Sequence, residues 1–370
     1  MTASHILSVG PNIYSATETL LTGLGSHPLA SLTIRRIGDQ LLMSTEGSFE
    51  NTDGIEDNLF NVGQRPETTL ATPHERPTHR LVLQAPHFTG PGLFELLDAL
   101  TDLTEIPSRI DLVSTEPLSV VVAHVALPTE PGENTTQAIR DLSARTGVDI
   151  ALVPGGRYPF ARKLVVMDCD STLIDAEVID ELASFAGKKA EVAAITDRAM
   201  HGELDFSESL RERVACLEGI PDSVFAEVAD AISFNPGALD LVAACNELGW
   251  STAVVSGGFT PVLDRLVARA GITYAHANTL EVRDGKLTGK VVGTIVDKHE
   301  KARFARACAE REGIPLERVI AIGDGANDME MVGAAGLGVA YMAKPALKAV
   351  ADTSLNHSRL DAVLPIAGVL

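Results

Sequence analysis

The sequence predicts an α/β fold: a doubly wound parallel sheet carrying an inserted helical cap, preceded by two small α+β modules in tandem. Three observations predict it. Short apolar runs end abruptly in polar clusters three times, at Leu164–Met167 before Asp168–Thr172, at Ala253–Val255 before Ser256–Gly258, and at Val319–Ile322 before Gly323–Asp328. Amphipathic stretches lie between them, and short buried runs alternating with helices belong to a parallel sheet covered on both faces. Finally, 370 residues exceed what one domain of roughly 150 residues needs.

The first part of the chain reads as alternating short strands and helices. Strands are expected at 80–84, 109–114, 118–127 and 148–153, with helices at 91–103 and 134–146, which is the order βαββαβ. A weaker version of the same order occupies 5–75, with strands at 6–9, 29–37 and 40–45, a helix at 16–24 and a polar, acidic loop at 50–65. These give modules at 1–75 and 76–155. Pro154–Pro159, with two glycines, reads as a linker, and no lysine occurs before Lys163. The second domain is then 160–370.

Within that domain, Asn235 and Pro236 read as the N-cap and first position of a helix that Gly249 ends. The stretch 177–232 is too long for an ordinary strand-to-helix loop and has helical periodicity at 178–185, 190–200, 206–217 and 223–232. It reads as a helical cap over the strand ends, able to close a site against water.

Composition excludes several classes. A net charge of -20 repels nucleic acid backbones and anionic membrane surfaces, and aromatics at 4% offer few stacking platforms for bases. Any anionic substrate must therefore meet a local cation cluster or a bound metal. Cys169, Cys216, Cys245 and Cys308 form no CxxC pair, so neither a disulfide framework nor a structural zinc site is expected. The N-terminus lacks a basic segment followed by an apolar one, and no apolar stretch approaches the roughly 18 residues that span a bilayer. The expected compartment is the cytoplasm.

The strand ends carry the chemistry. Asp168 and Asp170 are two apart, so both project to one side while Cys169 turns into the fold. Crowded carboxylates need a cation or a retained proton. With Asp324 and Asp328 from another strand end they make a hard-oxygen set suited to Mg²⁺. A carboxylate can attack phosphorus to give an aspartyl-phosphate, while a neighbouring carboxylic acid protonates the leaving alkoxide and later activates water. Lys301, the Ser256 hydroxyl and the N–H groups of Ser256–Gly258 can neutralise and position the transferring group. A DxD alone is an ordinary surface or capping pattern, and a Gly-rich turn alone is just a loop. Their order at three buried strand ends favours catalysis.

Asp168-x-Asp170-x-Thr172, Ser256-Gly-Gly-Phe259, Lys301 and Gly323-Asp-Gly-Ala-Asn-Asp328 resemble the four ordered motifs of the haloacid dehalogenase superfamily of phosphatases. From about Lys163 to Leu364 the chain more narrowly resembles the phosphoserine phosphatase family, through Glu177, Ala199-Met200, Gly202–Phe206, Ser209–Val214, Asp284–Gly289 and Ala343–Ala346. The resemblance implies Asp168 as nucleophile and Asp170 as acid/base, with the Asp170 backbone carbonyl also reaching the metal. It implies Asp324 as a carboxylate ligand of Mg²⁺, Ser256 and Gly257 as phosphate holders and Lys301 as the lysine that neutralises phosphate. Asn327 and Asp328 would support the metal and phosphate. In the cap it implies Arg213 on the substrate carboxylate, Glu177 on its ammonium, and Met200 and Phe206 as shields.

The reaction implied is hydrolysis of O-phospho-L-serine to L-serine, the last step of serine biosynthesis. The alternatives are a phosphatase of another small phosphorylated metabolite and an amino-acid-sensing regulatory protein. The front 155 residues resemble a pair of ACT domains, implying a homodimer and L-serine as a feedback ligand. The first module departs from the ACT pattern at Gly10-Pro11-Asn12, where the acidic residue and later glycine are missing.

Overall fold

The computed structural model describes residues 2–8, 21–22, 24, 29–37, 40–46, 78–101, 103–104, 107–127, 131–155 and 161–369. The expected loop at 50–65 lies outside them, as does most of the expected helix at 16–24. The chain divides into two compact units. One comprises Met1–Pro159 with Asn356–Ser358 and Leu364–Leu370; the other comprises Phe160–Leu355 with Arg359–Val363.

The first unit is built on one seven-stranded sheet of order β1-β3-β2-β5-β6-β4-β7. Its strands are β1 (Thr2–Ser8), β2 (Thr33–Ile37), β3 (Gln40–Glu46), β4 (His79–Ala85), β5 (Arg109–Ser114), β6 (Ser119–Val125) and β7 (Asp149–Pro154). Every pairing is antiparallel, and β2 on β5 joins the two halves that the sequence reads as separate modules. Leu81 and Leu83 of β4 and Val121 and Ala123 of β6 point into one core at period two. Helix α1 (Gly90–Asp98) covers it with Leu93, Leu96 and Leu97, and α2 (Glu133–Thr146) with Ile139 and Leu142.

The sequence reading carries the second domain to 370, whereas Asn356–Ser358 and Leu364–Leu370 group with the first unit. Asp149 gives a reason. Its carboxylate is 1% exposed and accepts the Asn356 and His357 N–H groups at 2.7 and 3.1 Å, partners that a buried charge requires.

The second unit holds a seven-stranded sheet of order β11-β10-β9-β8-β12-β13-β14. Its strands are β8 (Leu164–Met167), β9 (Ser251–Phe259), β10 (Tyr274–Arg283), β11 (Lys286–Val292), β12 (Val319–Gly323), β13 (Leu337–Tyr341) and β14 (Thr353–Leu355). All pairings are parallel except the β10–β11 hairpin. The chain enters at β8, then adds β9 on one side and β12 on the other. That reversal opens a crevice at the carboxyl ends of β8, β9 and β12, where ligands of such sheets bind.

The cap follows β8 as helices α3 (Val178–Phe185), α4 (Lys189–Met200), α5 (Phe206–Ala215) and α6 (Val224–Ala231). Asp205 and Glu208 start α5 with a capping box. Two local readings are corrected. The helix after the cap, α7 (Ala238–Glu247), begins behind Gly237 rather than at Asn235 and Pro236. The Asn235 amide is spent instead on the Thr172 and Ile174 carbonyls, at 2.8 and 3.0 Å, holding the turn after Asp170. Likewise β9 continues through Ser256–Phe259 instead of ending at Val255, because Phe259 still pairs with Asn278 of β10.

Candidate active site

Asp168 directly follows β8, and its N–H donates to the Ile322 carbonyl of β12 at 2.9 Å, continuing the parallel ladder for one more residue. The residue is 3% exposed, and Oδ1 accepts the Cys169 N–H at 2.6 Å. Asp170 turns elsewhere. Its Oδ1 accepts the Val178 N–H at 2.8 Å and its Oδ2 accepts the Ser256 hydroxyl at 2.9 Å. Burial raises both carboxyls above their ordinary range, Asp168 well above it, where the nearby Asp328 charge adds to the effect.

Beyond α8 (Thr260–Ala270), helix α9 (Lys298–Glu312) brings in the counter-charge. Nζ of Lys301 lies 2.7 Å from Asp168 Oδ2 and 2.7 Å from Asp328 Oδ1. Burial works against its charge, yet the two carboxylates win and hold the ammonium above its ordinary value. Asp328 Oδ2 accepts the Asp324 and Gly325 N–H groups at 3.2 and 3.1 Å, which shapes the turn after β12.

Asp168, Asp324 and Asp328 each offer a carboxylate oxygen, all within 4.8 Å of one another. One ammonium shared by two of three carboxylates leaves net negative charge in a desolvated pocket, and an oxygen-seeking dication fits that deficit. The Asp170 carboxylate stays out of this group, bonded to Val178 and Ser256.

Opposite lies the Ser256–Gly258 stretch. Ser256 Oγ accepts the Gly258 N–H at 2.7 Å while donating to Asp170. A Cβ on Gly258 would come within 2.9 Å of that oxygen and 3.2 Å of Asp170 Oδ2, so only glycine lets the strand pass so close.

A cavity of about 470 Å³ joins these groups to the cap; Asp168, Asp170, Gly257, Asp324, Asn327 and Lys344 line its floor. From the cap come Glu177, Phe206 and Arg213. Arg213 sits on α5, its Nε donating to the Ser209 carbonyl at 3.3 Å. Among the described residues no carboxylate lies within ion-pairing distance of its guanidinium. Burial lowers its proton affinity against the fields of Asp180, Glu177 and Asp170. Glu177 keeps solvent-accessible surface, yet the protein crowds its carboxyl. That desolvation, and then the Asp170 charge, push it up to about 7 against a 2.9 Å bond from the Ser171 hydroxyl. Phe206 is 38% exposed at the wall. Met200 closes α4, and its side chain lies outside the described residues.

Sequence reasoning assigned no role to Ser171 or Lys344. Ser171 takes a left-handed backbone, φ 55°, and from there reaches Glu177. Lys344 has Nζ 3.6 Å from Asp324 Oδ2 and donates its N–H to the Asp324 carbonyl at 2.8 Å. Both lie inside stretches quoted above, Ser171 in Asp168–Thr172 and Lys344 in Ala343–Ala346, and that membership was the available signal.

Residues 165–332 match the haloacid dehalogenase-like hydrolase family. A phosphoserine phosphatase of Idiomarina loihiensis is 50% identical over 201 residues, 54% of this chain and 91% of that protein. One of Streptomyces coelicolor is 46% identical over 271 residues, 72% of this chain, and the chain spans 65% of that relative's length. Among solved structures, a probable phosphoserine phosphatase of Vibrio cholerae in unliganded form superposes with a TM-score of 0.67 at 35% identity, covering 82% of this chain and 89% of that one. The fold and the strand-end carboxylates are those of a haloacid dehalogenase-like hydrolase, a class whose phosphatases use a divalent metal. Within that class, the chain belongs to the phosphoserine phosphatase family. Among the described residues no helix is long and apolar enough to cross a membrane.

Proposed function

We propose that this chain hydrolyses O-phospho-L-serine to L-serine and inorganic phosphate through an aspartyl-phosphate on Asp168, in the cytoplasm and as the last step of serine biosynthesis. The observation that carries the reading is one cavity holding a buried strand-end carboxylate together with a guanidinium that has no carboxylate partner among the described residues and a separate carboxyl. Phosphoserine presents the complement: a phosphate, a carboxylate for Arg213 and an ammonium for Glu177.

Asp168 Oδ attacks phosphorus in line with the serine oxygen. As the phosphorus–oxygen bond breaks, Asp170 hands its proton to the leaving alkoxide, a protonated form that burial favours. Asp170 then takes a proton from water, which attacks the aspartyl-phosphate and frees phosphate and Asp168. The Ser256 hydroxyl has one hydrogen, so it must turn from Asp170 to serve the phosphate; Gly257 and Asn327 flank that position. Lys301 neutralises the group and holds Asp168 in line. Mg²⁺ held by Asp168, Asp324 and the Asp170 carbonyl, with Asp328 in support, would supply charge neutralisation of the phosphoryl oxygens. Phe206, at the cavity wall, excludes water.

In the first unit, a cleft of about 520 Å³ between α1 and α2 is the place we assign to L-serine as a feedback ligand, with Glu95 and Arg145 among its lining residues. A homodimer through the ACT-like unit completes the reading.

The test is phosphate release from O-phospho-L-serine with Mg²⁺ and with EDTA, beside a panel of phosphorylated sugars and alcohols. Mg²⁺-dependent preference for phosphoserine is expected. Turnover confined to another ester would overturn the substrate and keep the aspartyl-phosphate chemistry. Asp168→Asn should leave the fold intact and remove at least about a thousandfold of kcat; turnover within a few-fold of the parent would refute the nucleophile.

A further inference from the structure

Asn278 lies outside every polar cluster described above, on β10, and is 0% exposed. Its Nδ2 donates to the Gly257 carbonyl at 2.8 Å and its Oδ1 accepts the Val296 N–H at 2.8 Å. These partners fix which end of the amide is which, since a carbonyl requires a donor and an N–H an acceptor.

The two partners belong to different parts of the site. Gly257 is the middle residue of the Ser256–Gly258 stretch. Val296 leads into α9, where Asp297 caps the helix by accepting the His299 and Glu300 N–H groups at 2.9 Å each. One turn on, the Lys301 N–H donates to the Asp297 carbonyl at 2.9 Å. A single side-chain amide therefore spans the gap between the phosphate stretch and the start of the lysine helix.

Backbone pairing does not do this job. The β9–β10 ladder pairs Val255 with His276 and Phe259 with Asn278, with a register shift between His276 and Asn278. Three residues of β9, Ser256 to Gly258, thus face the single residue Ala277, as at a bulge that interrupts the ladder. The Asn278 side chain supplies, at Gly257, the bond that the interrupted ladder omits.

We propose that Asn278 is a positioning residue of the phosphate site: through Gly257 and Val296 it sets the spacing at which the Ser256–Gly258 groups and Lys301 face one phosphate. The proposal rests on the reading that this stretch binds the transferring phosphate.

The test uses the full chain with Asn278→Asp and Asn278→Ser. Aspartate is isosteric and keeps an acceptor for Val296 while replacing the donor to Gly257 with an oxygen; serine is too short to reach both partners. Thermal melting, calorimetric binding of inorganic phosphate with Mg²⁺, and steady-state turnover of O-phospho-L-serine are measured together. Both variants should fold, with the phosphate Kd and the substrate KM raised in parallel by about ten- to a hundredfold and kcat changed less. Phosphate binding within about twofold of the parent in both variants would overturn the proposal, and so would failure of both to fold, since Asn278 would then be a packing residue only. A parent that binds phosphate yet leaves phosphoserine intact loses the substrate reading, while the phosphate Kd still reports on Asn278.

Discussion

Lys301 Nζ stands 2.7 Å from Asp168 Oδ2 with the lysine side chain 1% exposed. The carboxylate comes from the end of β8 and the ammonium from the first turns of α9, and the same ammonium reaches Asp328 beyond β12 at 2.7 Å. Three segments remote in sequence thus meet on one charge. Held so, Asp168 cannot rotate freely, and its second oxygen is occupied by the Cys169 N–H at 2.6 Å. The cost of desolvating this group is met by mutual compensation, which makes it fragile to removal of the shared ammonium.

Lys301→Met is accordingly expected to destabilise the chain by about 3–5 kcal/mol in EDTA, because two buried carboxylates lose their cation. Added Mg²⁺ should recover part of that loss by replacing the missing positive charge. Urea unfolding with and without Mg²⁺ measures both. An equal loss in the two conditions would mean that the carboxylates do not hold the metal.

Arg213→Ala should separate substrates by their carboxylate. The guanidinium is half-buried and its one described hydrogen bond, from Nε to the Ser209 carbonyl, leaves the other donors for the cavity. Loss of a charge-assisted bidentate pair predicts a fall in kcat/KM for phosphoserine of about ten- to a hundredfold or more, with little change for an aryl phosphate that has no carboxylate. Equal losses on the two esters would remove Arg213 from carboxylate recognition.

Gly323→Ala tests how Asp328 is seated. A Cβ there would come within 2.5 Å of the Asp328 carboxyl, which is 0% exposed and has no room to retreat. Displacing it breaks the bonds from the Asp324 and Gly325 N–H groups and withdraws an acceptor from Lys301. The Mg²⁺ concentration for half-maximal activity should rise about tenfold or more. An unchanged Mg²⁺ requirement would place Asp328 outside the metal's support.

What the sequence disclosed follows physical range. The strand-end clusters were legible because spacing alone aims Asp168 and Asp170 to one side, and because an apolar run ending in Gly-Asp or Ser-Gly has few other uses. The same reasoning misplaced Asn235, since a helix cap and a side-chain tie to the Thr172 and Ile174 carbonyls need the same residue type. It missed Asn278 because nothing local distinguishes an amide at a bulge from an exposed strand polar residue. The joining of β2 to β5 into one sheet, and the grouping of Asn356–Ser358 with the first unit through Asp149, depend on partners 74 to 208 positions away, where periodicity carries no signal.

The pH dependence of Glu177 follows from the same crowding that makes the pocket. Its carboxyl is raised to about 7 in the folded chain from 4.5, first by desolvation and then by Asp170. Between those values the folded state binds more protons than the unfolded one, so this group's contribution to stability declines as pH rises from about 4.5 to about 7. Glu177→Gln removes that decline: its melting temperature relative to the parent should rise across the window and level off above it, by an amount that solvent in the open cavity keeps modest. Substrate binding runs the other way, since only the ionised carboxylate attracts the ammonium. The parent's KM for phosphoserine should therefore fall through pH 7 relative to that of the Gln variant, a ratio that cancels the phosphate's own titration near pH 6. A constant KM ratio from pH 5.5 to 8.5 would show that Glu177 does not read the ammonium, even if the stability curves diverge as described.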